Sequence, residues 1–391
     1  MHITYLAFIE IDVANACLVH TREMCEQFIA LKHKVTLILP RPLTMQSWEG
    51  VRHIWVRWWG FDRPRKWVFF LESAWKLWCV HRRRPIYVLY VREMDRHPFL
   101  VGLVKWLRIP MVVEVNGWGL DDMKLLGASP RRTRLVEHGQ RKLFKGARGI
   151  IVSTRGNAEK VIAHYGISRH KVQVQELGTN IEHFKPGDKV LARQKIGVPI
   201  DKPIIFFAGS FHPHHDLSTL LSAHAKLFSQ GFETLLLLVG DGSQRKIIQE
   251  QIELSGLSDH IRLCGARPYD QVPTYFRAAD IGVVPLLANK VRQQQGSYAS
   301  KLWDYMACGL PVIITDFPNT SSAKLLADKA YIVPPGNVGA MTKGLKDLLE
   351  NSQMRDNIAA KGYDYVCSHR TWRQAAGETV AFIEKRLVEG P

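Results

Sequence analysis

The sequence predicts an α/β protein built from two doubly wound parallel-sheet domains. Short apolar runs of strand length alternate with helical stretches along most of its 391 residues, and glycines punctuate the ends of those runs. At 46% hydrophobic content, a chain of this length can fill two cores of ordinary size.

In the first half, candidate strands lie at Ile3 to Phe8, Val35 to Leu39, Ile86 to Val91, Met111 to Glu114, Gly149 to Ser153 and Val172 to Gln175. Each is a short apolar run bounded by polar or turn residues, as expected of a strand covered on both faces. A helix from Trp67 to His81 interrupts them. The second half repeats the scheme more cleanly, with strands at Ile204 to Phe207, Leu235 to Val239, Ile261 to Cys264, Ile281 to Pro285 and Val312 to Thr315. Helices are expected from Leu217 to Gln230, after Ser243, near Val272 to Ala278, from Lys301 to Cys308 and within Ser352 to Leu387. Proline and glycine in Lys185-Pro186-Gly187-Asp188 set the boundary, giving domains 1–185 and 186–365 and a terminal helical segment 366–391. The two domains are expected to face each other across a cleft, since open sheets bind ligands beyond the carboxyl ends of their strands.

Composition narrows the setting. The six cysteines show no paired metal spacing and mostly sit in apolar runs, as reduced thiols of the cell interior do. No targeting segment is apparent, and no apolar run approaches the roughly 20 residues that span a bilayer. The formal charge of +17 is lopsided: residues 1–187 carry 30 Lys and Arg against 16 Asp and Glu, whereas 188–391 carry 23 against 20. Such a field suits an anionic partner.

Ser297 to Asp316 is the most informative stretch. Ser297 and Ser300 are N-cap residue types, Lys301 to Cys308 has helical periodicity, Gly309 and Pro311 stop the helix, and Val312 to Thr315 reads as a buried strand. The positive helix start with Lys301 beside it favours an anion there, although an ordinary capped helix has the same local features. Glycines at Gly209-Ser210, Gly240-Asp241-Gly242 and Gly265-Ala266-Arg267 mark further loops at strand ends, where a ligand can approach the main chain.

The run Asp304-Tyr305-Met306-Ala307-Cys308-Gly309-Leu310-Pro311-Val312-Ile313 resembles the segment Glu-Ala-Met-Ala-x-Gly-x-Pro-Val of retaining GT-B glycosyltransferases of family 4. Ala278-Ala279-Asp280, followed by the apolar run to Pro285, and Gly178-Thr179-Asn180 through Pro186 are similar to two further stretches of that family, in the same order. The resemblance implies a GT-B fold with a final helix that crosses back to the first domain. It implies a metal-independent transferase with no cofactor beyond a nucleotide-diphosphate sugar of the uridine or guanosine type. By the same resemblance the Gly265 and Arg267 loop contacts the base, Asp304 the ribose, and the loops of Gly209 with Ser210 and of Ser297 with Ser300 the diphosphate and sugar; Gly240 and His215 are further donor-binding candidates. Lys301 would stabilise the leaving diphosphate. Glu114-Val115-Asn116-Gly117 resembles a Glu-x-Asn stretch of some members, making Glu114 and Asn116 the other catalytic candidates; an Asn-Gly turn explains the same residues.

Departures from the family pattern cluster at the phosphate site. Where members place Arg just after the glycine equivalent to Gly209 and Lys shortly beyond it, this chain has Ser210 and His215; the first Glu of the motif is Gly296. The glycine pair after the first strand is replaced by Ala14-Asn15-Ala16. Lys301 is then the main cation, with His212, His214, His215, Lys290 and Arg292 as assistants. The run His212-Pro213-His214-His215 also suggests zinc, but only Asp216 adjoins it as a further ligand type, and no metal is expected.

Seven of the eleven tryptophans fall between Trp48 and Trp78, interleaved with basic residues and followed by Arg82-Arg83-Arg84. Trp67, Trp75 and Trp78 with those arginines suit a headgroup boundary, so the reading is a cytoplasmic enzyme held peripherally on an anionic membrane surface and using a lipid-linked or glycan acceptor. Packing of the same aromatics on the first core is the alternative. Nucleic acid is not an expected partner, because no module for it is present. The rival functions are a sugar-nucleotide epimerase of the same fold and a catalytically degenerate scaffold.

Overall fold

The computed structural model describes residues 1–9, 16–42, 47–57, 63–92, 97–117, 119–120, 123, 127–287, 300–317 and 320–389, with the side chains of 63–66, 300 and 321 left aside. The chain divides into two compact units, Met1–Leu177 with Trp372–Pro391, and Gly178–Thr371.

The first unit holds a parallel sheet of β1 (His2–Leu6), β2 (Lys34–Pro40), β3 (Val51–Val56), β4 (Val88–Arg92), β5 (Met111–Val115), β6 (Gly149–Val152) and β7 (Val172–Val174), ordered β3-β2-β1-β4-β5-β6-β7. The order reverses between β1 and β4, which is the switch point where such sheets open a crevice. On one face Tyr5, Leu37 and Tyr90 pack with Met24 and Phe28 of helix Ala16–Ala30 and with Ala376 and Ile383 of the terminal helix Trp372–Val388. Close approach seats that terminal helix, since a Cβ on Gly149 would lie 2.7 Å from the Phe382 ring. The opposite face packs Leu6, Leu89 and Val113 against Phe69 and Leu77 of helix Arg63–Arg83 and Leu100 of helix Leu100–Trp106.

The second unit repeats the plan with β8 (Ile204–Ala208), β9 (Leu235–Val239), β10 (Ile261–Gly265), β11 (Ile281–Val284), β12 (Val312–Thr315) and β13 (Tyr331–Val333), all parallel and ordered β10-β9-β8-β11-β12-β13. Its switch point lies between β8 and β11. Asp280, which precedes β11, accepts from the Ile204 amide at 2.7 Å and pairs with Lys189 at 2.7 Å. This aspartate therefore closes the amino ends of the two switch strands, away from the ligand edge.

Two strands escape the periodicity reading. β3 lies in the tryptophan-rich run, where Val51 and Val56 are buried but the residues between them are half-exposed. β13 has only 3 residues, too few to show alternation. The units divide at Leu177 and Gly178 rather than at the proline-glycine turn near Lys185, because Ile181 and Phe184 belong to the second core.

Candidate functional site

At the carboxyl edge of the second sheet, the loop after β8 folds over the turn after β9. The Phe211 amide donates to Asp241 O at 2.9 Å, and the Gln244 amide returns a bond to Phe211 O at 2.9 Å. The glycines here serve the main chain itself. A Cβ on Gly240, at φ +148°, would fall 1.8 Å from Gly209 O, and one on Gly242 would meet the Phe211 backbone at 2.5 Å. Gly209 N–H donates to Val239 O and Gly240 N–H to Gly265 O, each at 3.0 Å. At this edge, where Gly209 and Gly240 are expected to bind the donor, both amides are bonded to neighbouring strands. Gly265, at φ +69°, is needed for its left-handed turn. Arg267 is exposed, with its guanidinium 5.8 Å from the Tyr275 ring centre.

The same loop brings the histidines to the switch point. His215 Nδ1 lies 2.7 Å from Ser210 O, which fixes the tautomer with a proton on Nδ1, and the His215 ring stands edge-on to Phe207 at 5.2 Å. The His214 and His215 ring centres are 4.2 Å apart. The loop is held against the end of β11 by a bond from Leu287 N to His214 O at 3.0 Å. Among the described residues no group of three His, Cys, Asp or Glu side chains converges as a metal site.

Tyr305, on helix Ser300–Ala307, explains why the two switch strands part here. β8 and β11 pair only through Ile205 and Phe206; beyond that, the Tyr305 hydroxyl accepts from Ala208 N at 2.7 Å. A side-chain oxygen replaces the next rung of the ladder. One turn earlier, Lys301 Nζ lies 3.2 Å from Asp304 Oδ2, and Thr179 Oγ1 donates to Asp304 Oδ1 at 2.6 Å. Asp304 is 7% exposed, and burial raises its pKa against the pull of Lys301 and Thr179. The carboxylate expected to meet ribose and the ammonium expected to meet phosphate hold each other in this conformation. Ser297, Lys290 and Arg292 lie outside the described residues, and Ser300 is described only as the first residue of its helix.

In the first unit, Glu114 ends β5 beside the β1–β4 switch point and is 3% exposed. Tyr5 OH donates to its Oε2 at 2.7 Å, Asn116 Nδ2 donates to Oε1 at 2.8 Å, His20 Nε2 stands 2.5 Å from Oε1, and Arg92 Nη1 lies at 3.7 Å. Burial opposes the charge, but His20, Arg92 and Asn116 outweigh it and hold the carboxyl well below the usual range. Both oxygens of Glu114 are thus engaged in this conformation, one of them by the half-buried Asn116. His20, which sequence reasoning missed, packs edge-on against Trp372 at 4.9 Å and ties the carboxylate to the terminal helix. Its only sequence signal was an isolated histidine on an apolar helix face.

The tryptophans divide. Trp67 and Trp75 are exposed, Trp78 is half-buried beneath Arg82 with a guanidinium-to-ring distance of 5.8 Å, and Arg82, Arg83 and Arg84 face solvent. Trp58 and Trp59 lie outside the described residues.

Residues 188–365 match the model for glycosyl transferases group 1, and residues 16–178 match that for the glycosyl transferase 4-like domain. Among curated proteins, D-inositol 3-phosphate glycosyltransferase 2 of Catenulispora acidiphila is 28% identical over 280 residues, 66% of this chain and 63% of that protein. D-inositol 3-phosphate glycosyltransferase of Streptomyces bingchenggensis is 26% identical over 335 residues, 81% of this chain and 70% of that one. The chain thus spans about two thirds of the length of these relatives. Of solved structures, sucrose-phosphate synthase from Thermosynechococcus elongatus superposes with a TM-score of 0.77 at 17% identity, covering 99% of this chain and 100% of that one. Anabaena HepE in complex with UDP and glucose gives 0.75 at 15% identity, covering 98% and 99%. These likenesses show a GT-B fold.

Proposed function

The chain belongs to the glycosyl transferases group 1 family, and on that premise we propose that it moves a glycosyl group from a nucleotide-diphosphate sugar to a lipid-linked or membrane-proximal glycan, with retention and without a bound metal. The observation that carries this reading is the opened switch point of the second sheet, where Tyr305 parts β8 from β11 and the His214–His215 loop and helix Ser300–Ala307 meet at the strand ends. That edge is where a doubly wound sheet takes a nucleotide. HepE, solved with UDP and glucose, supports a uridine-type donor, and the inositol-phosphate relatives support a phosphorylated acceptor drawn to the basic first unit.

In this reading, Lys301 exchanges Asp304 for the departing diphosphate, and the ribose hydroxyls take the freed carboxylate oxygen. The helix start supplies the remaining positive potential, and His215, its Nδ1 proton held by Ser210 O, lines the same edge. A preorganised contact of this kind contributes about 3 kcal/mol to a transition state that develops charge. A donor phosphate oxygen accepts the acceptor's proton, so the engaged Glu114 is not required as a base.

A screen of uridine, guanosine and adenosine diphosphate sugars, reading free nucleotide with and without acceptor, tests the proposal. Acceptor-dependent release of one nucleotide supports transfer, whereas acceptor-independent turnover indicates epimerisation. The Lys301–Asp304 pair and the spent glycine amides favour one second reading, a scaffold that kept the fold and lost the chemistry. A melting temperature unmoved by every nucleotide sugar would decide for it.

A further inference from the structure

An exposed aromatic ridge runs over the surface of the first unit. On helix Arg63–Arg83, Trp67 (44% exposed), Leu71 (56%) and Trp75 (56%) recur every fourth residue, while Phe69, Ser73, Leu77 and Val80 turn inward. Phe99 (38%) and Trp106 (69%) stand seven residues apart, on one side of helix Leu100–Trp106. The two rows join where the Trp67 and Phe99 rings meet at 5.9 Å. Exposed apolar side chains gathered like this mark a surface that something covers.

Charge says what the cover is. Arg82, Arg83, Arg84, Lys105 and Arg108 are exposed at the ends of the two helices, and Lys76 lies over the Trp75 ring at 5.4 Å. Glu72, the acidic residue of helix Arg63–Arg83, is neutralised by Arg57 at 3.1 Å and Lys76 at 3.8 Å. Indole rings beside cations fit the interface of an anionic bilayer, where the ring sits at headgroup depth and the cation meets phosphate.

We infer that Trp67, Leu71, Trp75, Phe99 and Trp106 form one docking ridge that inserts into the headgroup region of an anionic lipid bilayer. This rests on the membrane-proximal acceptor proposed above and names the surface and the partner. Neither Phe99 nor Trp106 belongs to the tryptophan-rich run of the sequence; the fold brings them to it.

The full chain, with neither donor nor acceptor, is sedimented with vesicles of phosphatidylcholine alone and with about 30 mol% phosphatidylglycerol added. Binding is expected only to the anionic vesicles. The double substitution Trp75→Ser with Trp106→Ser is expected to weaken it at least tenfold with the melting temperature unchanged; if that variant melts early, Leu71→Glu replaces it with the same expected loss. The inference is overturned by failure to bind anionic vesicles, by unchanged binding of a folded ridge variant, or by retention on heparin without vesicle binding. Nucleotide release onto a water-soluble acceptor, measured in parallel, separates a failed docking surface from a failed transferase reading.

Discussion

A methyl group on Gly282 would stand 2.4 Å from Cδ1 of Tyr305, so the absence of a side chain in the middle of β11 is what seats the tyrosine against the sheet. With its ring there, the hydroxyl reaches Ala208 N and props the switch point open. The family motif resembled by this segment has alanine at that position, so the pair is a local solution of this chain. Gly282→Ala is expected to cost about 1–3 kcal/mol through overpacking. Tyr305→Phe should cost a similar amount by orphaning the buried Ala208 amide, about 1–3 kcal/mol. Urea unfolding measures both, and Gly282→Ala should become nearly neutral in a Tyr305→Ala background; equal costs in both backgrounds would show that the two residues do not interact.

Lys301→Ala should lower kcat/KM for the donor roughly 100-fold while leaving the fold intact. Its removal also strips Asp304 of its counter-charge, so the buried carboxyl becomes harder to ionise. Steady-state kinetics on the best donor from the screen checks this, and an unaltered rate would mean that the phosphate binds elsewhere.

His215→Ala should raise the donor KM more than it lowers kcat, because the ring both faces the switch point and tethers Ser210 O at 2.7 Å. A change confined to kcat would instead place His215 at the reacting centre.

Glu114→Gln should destabilise the first unit by about 3–5 kcal/mol, since it leaves buried Arg92 without its charge partner. Glu114→Ala should do no better. Thermal melting decides, and a variant as stable as the parent would show that Arg92 does not depend on this carboxylate.

Acid should unfold the protein through its buried histidines. Burial lowers His97 to about 3 and His224 to about 4, from an ordinary 6.5. The unfolded chain therefore binds protons that the folded one refuses, so stability is complete above about pH 6.5 and declines as pH falls toward those lower values. Glu114, depressed below its ordinary 4.5, adds loss only at still lower pH. His97→Gln, which keeps an acceptor for the Leu100 amide, should flatten the decline by up to about 1.4 kcal/mol per pH unit. Urea midpoints between pH 7 and pH 5, roughly the window set by these shifts, give the slope directly; an identical slope in the variant would sink the idea.

Alternation of apolar runs and glycines made the two parallel sheets legible, because a strand covered on both faces must be apolar throughout and a tight exit from it needs a residue without a Cβ. The same logic located the loops at Gly209, Gly240 and Gly265, but not the close main-chain approach that Gly240 serves. Spacing along the chain says nothing about which main-chain amides are already taken, and the bond from Gly209 N–H to Val239 O exists only once β8 lies beside β9. The partners of Glu114 come from residues 5, 20, 92 and 116, which no local pattern links. The amino-acid order by itself determined the fold class, most of the strands and the basic first half, since these depend on short-range pattern and composition. Only the tertiary structure decided which charges neutralise one another, which amides remain for a ligand and which tryptophans meet water, because each is settled by neighbours distant in sequence.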